Sequence, residues 1–150
     1  MIQRVQTLFL ALAAAAMLVA VSVPLATFVY GGQPVVFEAM GVYYEDVLRD
    51  STWGIFVIGI LSSIIPLITI FLYKRRILQI RLSVFNIFLM IGYYAYAGFV
   101  FYHLVNFNDM AFNKIGFGAM TPIIAIILTI IAIRKIGADE ALIQSLKRLR

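Results

Sequence analysis

The chain has 150 residues, of which 63% are hydrophobic and 13% are charged; soluble domains have roughly 45–50% and 25%. Because a soluble protein of this size buries only about two-thirds of its unfolded surface, this excess of apolar side chains excludes that class and indicates a membrane protein. The net charge of +5 comes mostly from residues that flank apolar runs, as membrane topology requires, so we expect no nucleic-acid partner. The absence of cysteine excludes disulfides, thiolate metal sites and iron–sulfur clusters.

The first apolar run predicts a membrane span over residues 5–30. A secretory signal peptide is the alternative, but its apolar region has about 7–15 residues, whereas a span needs about 20. Small residues at helical spacing, the pairs Ala11/Ala15 and Ala16/Ala20, favour close approach of a second helix. A merely apolar stretch explains these alanines equally well. Pro24 predicts a kink or an early end to the helix.

An outside loop is predicted over residues 31–52, because a Gly-Gly-Gln-Pro sequence breaks the helix at its start. Within this loop, the apolar segments 35–37 and 42–44 flank Gly41 and favour a short hairpin. Residues 45–50 are equally compatible with a helical turn that leads into the next span.

Two further spans are predicted over residues 53–73 and 82–105. The segment between them contains four cations and no acid, in the order Lys74-Arg75-Arg76-Ile77-Leu78-Gln79-Ile80-Arg81. Short loops rich in lysine and arginine remain on the cytoplasmic side of a membrane. This loop therefore fixes the direction of both spans, the first running inward and the second outward.

Polar side chains in these two spans are expected to meet, because helices joined by a short loop are antiparallel neighbours. When residues are counted from the basic loop along each span, Asn86 lies at the same depth as Thr69, and Tyr93 at the same depth as Ser62. Each pair is therefore expected to form a hydrogen bond. The kink at Pro66 is expected to lie near Tyr93 or the tyrosine that follows it.

A fourth span is predicted over residues 115–133, with Asn113 as its N-terminal cap. A cytoplasmic tail follows over residues 134–150, and Gly137 is expected to bend the chain at its start. The tail is predicted to form a short amphipathic helix, because its leucines recur at helical spacing: Leu142, Leu146 and Leu149.

The predicted fold is all-α, an integral membrane four-helix up-and-down bundle with both termini cytoplasmic. Ten of the 12 cations flank the spans on the predicted cytoplasmic side, whereas Arg49 and Lys114 are outside. Residues 1–150 are predicted to form a single membrane domain.

Few residues in the spans have side chains that could carry charge or bind a cofactor. The four predicted spans contain no Asp, Glu, Lys or Arg, although ion-coupled transport usually needs such a group near the midplane. His103 and the adjacent Tyr102 are weak candidates for a quinone or haem contact, within a stretch of aromatic residues whose more common role is packing. We expect no catalytic residues, no metal site and no cofactor.

Carboxylates of the outside loop are the other candidates for ligand binding. Glu45, Asp46 and Asp50 supply the oxygen ligands that hard cations prefer. Because these acids lack EF-hand spacing, a solvated acidic face is favoured over a cation site.

The two ends of the chain carry a family resemblance. Met1-Ile2-Gln3-Arg4-Val5-Gln6-Thr7-Leu8 and Asp139-Glu140-Ala141-Leu142-Ile143-Gln144-Ser145-Leu146-Lys147-Arg148-Leu149-Arg150 resemble the signature ends of a bacterial membrane family, domain of unknown function 4293, typical of Bacteroidota. The resemblance implies the four-span layout and a bacterial cytoplasmic (inner) membrane, but no activity. Members often have an acid just before the closing arginine group, where this chain has Lys147.

Because both ends are predicted in the same compartment, residues of the N-terminus are expected to meet acids of the tail. The alternative is a tail that lies on the headgroups, with its cations near anionic lipid. The predicted interaction surface is formed by Gln3, Arg4, Asp139, Glu140, Arg148 and Arg150.

We therefore expect an accessory, assembly or stabilising component of a larger membrane protein complex, and not an enzyme. Its partners would be the lipid bilayer with anionic headgroups and other membrane proteins. A small oligomeric pore or carrier is one alternative. A quinone- or haem-contacting subunit of a membrane oxidoreductase is the other.

Overall fold

A computed structural model describes the backbone of residues 2–150 and the side chains from Arg4 onward. Within these residues, four helices form a bundle and five strands form one antiparallel sheet, in the order β4-β3-β2-β1-β5. The elements in chain order are α1 (Ile2–Ser22), β1 (Ala26–Tyr30), β2 (Gln33–Phe37), β3 (Gly41–Tyr44), β4 (Val47–Ser51), α2 (Trp53–Phe71), α3 (Arg76–Phe107), β5 (Ala111–Ile115) and α4 (Phe117–Arg148). The four predicted helices are confirmed, but the all-α class is wrong because the chain also contains a sheet.

The bundle has two different ends. At one end, which we call the sheet end, α1 and α3 finish, α2 and α4 begin, and all five strands lie. The opposite end, called the basic end, contains the start of α1, the loop between α2 and α3, and the last part of α4. Arg49 and Lys114 lie in strands at the sheet end, whereas the other ten cations lie toward the basic end. All four helices are long and apolar enough to cross a membrane.

The first helix is shorter than the predicted span. It ends at Ser22, because the residue before a proline disfavours the α conformation and Pro24 follows closely. The next residues, Ala26–Tyr30, are rich in β-branched and aromatic side chains that favour a strand. Gly31 and Gly32, at φ +59° and +84°, then form the two-residue turn into β2.

The predicted hairpin in the outside loop is confirmed. Strands β2 and β3 pair in antiparallel register, with Val36 opposite Tyr43. The alternative helical turn over residues 45–50 is wrong, since β4 occupies most of that segment. Glu45 and Asp46, at φ +48° and +61°, form the tight turn between β3 and β4.

The predicted cap of the last span is wrong. Asn113 lies inside β5, which pairs with β1, and the residue that precedes α4 is Gly116. The amide of Gly116 donates to the Leu25 carbonyl at 2.9 Å, and that of Gly118 donates to the Pro24 carbonyl at 3.2 Å. A Cβ on either glycine would collide with this backbone. The segment after α1 therefore holds the start of α4.

The predicted bend at Gly137 is also wrong, because α4 is one continuous helix of 32 residues. A lone glycine in a helix costs only about 1 kcal/mol relative to alanine. The residues that follow, Ala138 to Leu142, include several strong helix formers, and a Cβ at Gly137 would meet nothing within 4 Å. The tail is therefore a continuation of α4 and not a separate helix.

Two buried clusters hold the fold together. The larger one joins side chains from the middle of the bundle to the inner face of the sheet, including Met17, Phe28, Phe37, Tyr93 and Ala125. The smaller one, at the basic end, packs α1 against α4 through Leu10, Ala132 and Ile136.

Of the two predicted alanine pairs of α1, Ala16/Ala20 packs against the core and Ala11/Ala15 does not. Ala11 and Ala15 are exposed, whereas Ala13 and Ala20 are fully buried. Small side chains on this buried face let α1 lie close to α2 and α4.

Candidate functional site

At the basic end, the second turn of α1 contacts α4 through polar side chains. The amide of Gln6 donates a hydrogen bond to a carboxylate oxygen of Asp139, and both residues are buried. The predicted candidates on α1 were Gln3 and Arg4. Arg4 is exposed, and the side chain of Gln3 lies outside the described residues. The residue of α1 that binds Asp139 is thus Gln6.

A sequence signal for Gln6 was available. It lies on the same face of α1 as Leu10, Ala13 and Met17, all of which are buried. Because residues four, seven and eleven positions apart share a helix face, Gln6 belongs to this inward-facing stripe.

The last turns of α4 carry exposed apolar side chains. Leu142, Leu146 and Leu149 are 57%, 59% and 84% exposed, and their spacing places them on one face of the helix. We call these three residues the leucine stripe. The predicted interaction residues Arg148 and Arg150 are exposed beside it, while Glu140, on the opposite face, accepts a hydrogen bond from Gln144 at 3.3 Å.

The opposite face of the same helix segment borders an open cavity of about 720 Å³, which we call the basic cavity. It lies between α4 and the loop that joins α2 to α3. Among its lining residues, Glu140 supplies the carboxylate and five others supply cations: Lys74, Arg75, Arg76, Arg81 and Lys147. The unbroken course of α4 brings Lys147 to the same cavity as cations more than 60 residues earlier in the chain.

The predicted pairing of Asn86 with Thr69 is wrong. Gln79 donates to the Thr69 carbonyl at 2.8 Å, and the Thr69 hydroxyl donates to the carbonyl of Ile65 in its own helix. Thr69 therefore lies level with Gln79, about two turns nearer the basic end than Asn86. The predicted level of Asn86 was wrong because residues were counted from a loop that ends at Arg81, whereas α3 already begins at Arg76.

Asn86 consequently lies deep between helices. It is fully buried, and neither atom of its side-chain amide has a hydrogen-bond partner among the described residues. The buried hydroxyls of Ser62 and Ser83 are likewise without partners in this part of the chain. Unpaired buried polar groups cost about 1–3 kcal/mol each, so these three residues are a local weakness of the α2–α3 pair.

Tyr93 bonds to a different helix from the one predicted. Its hydroxyl donates to the Ala20 carbonyl of α1 at 3.3 Å, and not to Ser62. Its ring lies against Gly59, where a Cβ would be only 3.2 Å from the ring. Tyr93 thus links α1, α2 and α3 at the point where the bundle approaches the sheet.

Tyr94 supports the proline of α4 and not that of α2. Its hydroxyl donates a hydrogen bond to the carbonyl of Ala119. The same hydroxyl accepts one from the amide of Ile123, at 3.1 Å. In a regular helix those two backbone groups bond to each other, so the hydroxyl bridges the helical ladder beside Pro122. The expected association of a tyrosine with a proline is present, but its proline is Pro122 and not Pro66.

The candidate cofactor residues are both exposed. The ring of His103 stacks on that of Phe107, with centroids 5.0 Å apart and planes at 25°, and Tyr102 is 61% exposed. An apolar cavity of about 200 Å³ lies beside the part of α3 that precedes these two residues, and it is lined by other aromatics, including Tyr94 and Phe101. Ligand pockets usually have about 300–1,000 Å³, so this cavity corresponds better to packing than to a cofactor site.

The acidic residues of the predicted outside loop lie on the sheet. Glu45 and Asp46 lie at the β3–β4 turn and, with Glu38, line a cavity of about 530 Å³, whereas Asp50 lies in β4. Among the described residues, no group of three carboxylate or imidazole side chains is placed to hold a metal ion.

These features define a class of protein: a small bundle of four helices that are apolar enough to span a membrane, with an antiparallel sheet at one end and a basic cavity at the other. The chain belongs to the family described as Domain of unknown function (DUF4293), whose family model matches residues 2–149. The match spans every helix and strand and confirms the resemblance carried by the two chain ends. No curated protein and no solved structure matches the chain.

Proposed function

We propose that this is a multi-pass protein of the bacterial cytoplasmic (inner) membrane that helps to assemble or stabilise a larger membrane protein complex, and that it is not an enzyme. The four apolar helices support insertion into a bilayer. The concentration of cations at the basic end supports a cytoplasmic position for that end and both termini. In this orientation the sheet lies outside.

The leucine stripe is the observation that carries the docking role. The cations of the α2–α3 loop mark the headgroup level, and the basic cavity places Glu140, Ile143 and Lys147 of α4 beside them. At a rise of about 1.5 Å per residue, Leu149 lies about 9 Å beyond Ile143 along α4. The headgroup layer is only about 5–8 Å deep on each side. The end of the stripe therefore reaches water, where apolar side chains call for a protein partner.

The geometry of the stripe favours a helix as that partner. Leucines at intervals of four and three residues match the apolar face by which helices pair. Arg148 is the last residue of α4 and adjoins Leu149, and Arg150 follows Leu149. An amphipathic cytoplasmic helix of another membrane protein, with acidic residues flanking its own apolar face, fits this surface best.

The alternatives have less support. In a lone bundle, Met90 and Tyr93 are fully buried and fill the interior where a pore would run. The quinone or haem alternative would use His103 and Tyr102, which are exposed, while the nearby apolar cavity is smaller than a usual ligand site.

The docking role is tested by cross-linking in native membranes followed by purification in mild detergent and quantitative mass spectrometry. The double substitution Leu146→Gln/Leu149→Gln removes two exposed leucines without opening the core. We expect it to reduce recovery of a specific co-purifying membrane protein at least tenfold, because buried leucines contribute about 1.5–3 kcal/mol each.

The matched control is Ala141→Gln, which places the same glutamine side chain on the same helix, about 100° away from Leu142. We expect this variant to retain the partner. Equal recovery from the wild-type protein and the double variant, or equal loss in the control, would contradict docking through the stripe.

A further inference from the structure

We propose that the basic cavity is a binding site for the phosphate-bearing headgroup of an anionic phospholipid. The inference rests on the membrane placement proposed above, but not on the docking role of the leucine stripe. The stripe and the cavity lie on opposite faces of the same helix segment, so each can be disabled without the other.

The charge of the cavity points to an anionic ligand. Five cations and one carboxylate line it, and within the described residues none of these cations forms an ion pair with an acid. Like charges gathered in one cavity repel each other unless an anion lies between them. Glu140, the carboxylate, is already hydrogen bonded to Gln144.

The start of α3 adds donors to the same place. This helix begins at Arg76, and its preceding residue, Arg75, provides no side-chain cap. The amide groups of a first helical turn have no partners within the helix, and they carry the positive end of the helix dipole. Phosphate groups commonly bind at such helix starts.

The guanidinium group of Arg76 is the third observation. Its Nη1 atom is buried and has no hydrogen-bond partner in the described part of the chain. Arginine presents its donors in a planar fork that matches two oxygens of one phosphate. Because Nη1 is covered by the protein, rotation of the guanidinium group toward the cavity that Arg76 lines would let this donor bind a phosphate oxygen.

The surroundings favour a lipid over a soluble phosphate compound. Exposed apolar side chains border the cations, with Phe71 80% exposed, Tyr73 52% and Ile77 56%. Tyr73 and Ile77 also line the cavity. Acyl chains can lie along this apolar rim while the headgroup enters the cavity, and basic pockets between spans on the cytoplasmic side suit anionic lipid.

The test measures lipid retention by the full chain purified in maltoside micelles, by intact-complex mass spectrometry. Phosphatidylglycerol and phosphatidylcholine with identical acyl chains are added at equal concentration. We expect phosphatidylglycerol to be retained at least tenfold more strongly. The variant Arg76→Gln/Arg81→Gln should lose at least tenfold of this retention, since each cation near a headgroup strengthens binding by roughly fivefold.

The matched control is Arg134→Gln/Lys135→Gln, which removes the same charge from exposed positions at the same end but outside the cavity. It should keep retention within about threefold of wild type. Arg76→Lys preserves the charge without the guanidinium fork and should give an intermediate value. Circular dichroism and a single elution peak verify that each variant is folded.

Three outcomes would overturn the proposal. Equal loss in both double variants would mean that only overall charge attracts lipid. Equal retention of the two lipids would remove the anionic site. Displacement of phosphatidylglycerol by an equal concentration of soluble glycerol phosphate would assign the cavity to a soluble phosphate compound. None of these results depends on whether the leucine stripe binds a partner.

Discussion

The two ends of the bundle are closed in different ways. At the sheet end, backbone hydrogen bonds join β1 to both β2 and β5, and further ones join the start of α4 to the segment that follows α1. At the basic end, the closing contacts are side-chain contacts: the bond of Gln6 to Asp139, that of Gln79 to the Thr69 carbonyl, and a small apolar cluster. A closed backbone network favours a fixed scaffold, whereas the basic end has fewer backbone contacts, a cavity lined by cations and exposed leucines.

The largest effect should come from the tight backbone contact at the sheet end. Gly118→Ala places a Cβ against the carbonyls of Val23 and Pro24, and we expect it to lower the free energy of unfolding by about 3 kcal/mol. The control is Gly98→Ala, also in a helix but with nothing within 4 Å of its Cβ, which should be neutral or slightly stabilising. Unfolding in mixed detergent micelles measures both, and similar values for the two would remove the distinction between the ends.

The side-chain bond of the basic end provides the next test. Gln6→Met keeps the length of the side chain but removes the donor to Asp139. A hydrogen bond to a charged group contributes about 1.5–3 kcal/mol, so we expect a loss of about 2 kcal/mol. Hydrogen exchange should accelerate in the first turns of α1 and the last turns of α4, while the β1–β2 amides stay protected. Acceleration spread evenly over the sheet would show that the ends are not independent.

A gain in stability is expected from the interior between the ends. Asn86→Leu replaces a fully buried amide, which has no partner among the described residues, with an apolar side chain of similar size. We expect about 1.5 kcal/mol more stability, since an unpaired buried polar group is penalised by about 1–3 kcal/mol. Gln79→Leu is the contrasting variant and should destabilise, because Gln79 has a partner in Thr69. A loss of stability in Asn86→Leu would mean that this amide binds a group that the fold needs.

The smallest effect should come from the bridge beside Pro122. Tyr94→Phe removes only the hydroxyl between Ala119 and Ile123, and these groups can then bond to each other. We expect a loss of about 1 kcal/mol or less in the same unfolding assay. Tyr96→Phe, in the same helix at an exposed position, is the control and should be neutral. A loss well above 1 kcal/mol would show that α4 cannot repair its ladder at this proline.

The sequence predicted the four helices because their signals are local: long apolar runs, flanking cations and helix-breaking residues. It also predicted the β2–β3 hairpin, whose strands lie close together in the chain. Strands β1 and β5 were missed for a physical reason. Strand β1 continues the apolar composition of α1, and β5 is a short segment in which Asn113 was predicted as a helix cap. Their pairing joins residues 26–30 to residues 111–115, which no local pattern reports.

The candidate sites were predicted less well. The cations of residues 74–81 and the acids of the tail were noted for topology and for contact with the N-terminus. The expected bend at Gly137 hid the fact that Lys147 faces the loop cations across a cavity. The spacing of Gln6 indicated an inward position, but its contact with Asp139 depends on how α1 packs against α4. The association of a tyrosine with a proline was assigned to the wrong helix, because a count of residues does not give helix rotation.

The position of β1 between β2 and β5 has a consequence for biosynthesis. Strands β1 to β4 can pair as soon as they leave the ribosome, but β5 follows only after α2 and α3 have been made. At about 5–20 residues per second, β1 waits several seconds with one unpaired edge. The last helix then packs beside the first one, so folding of this chain finishes at the place where it began.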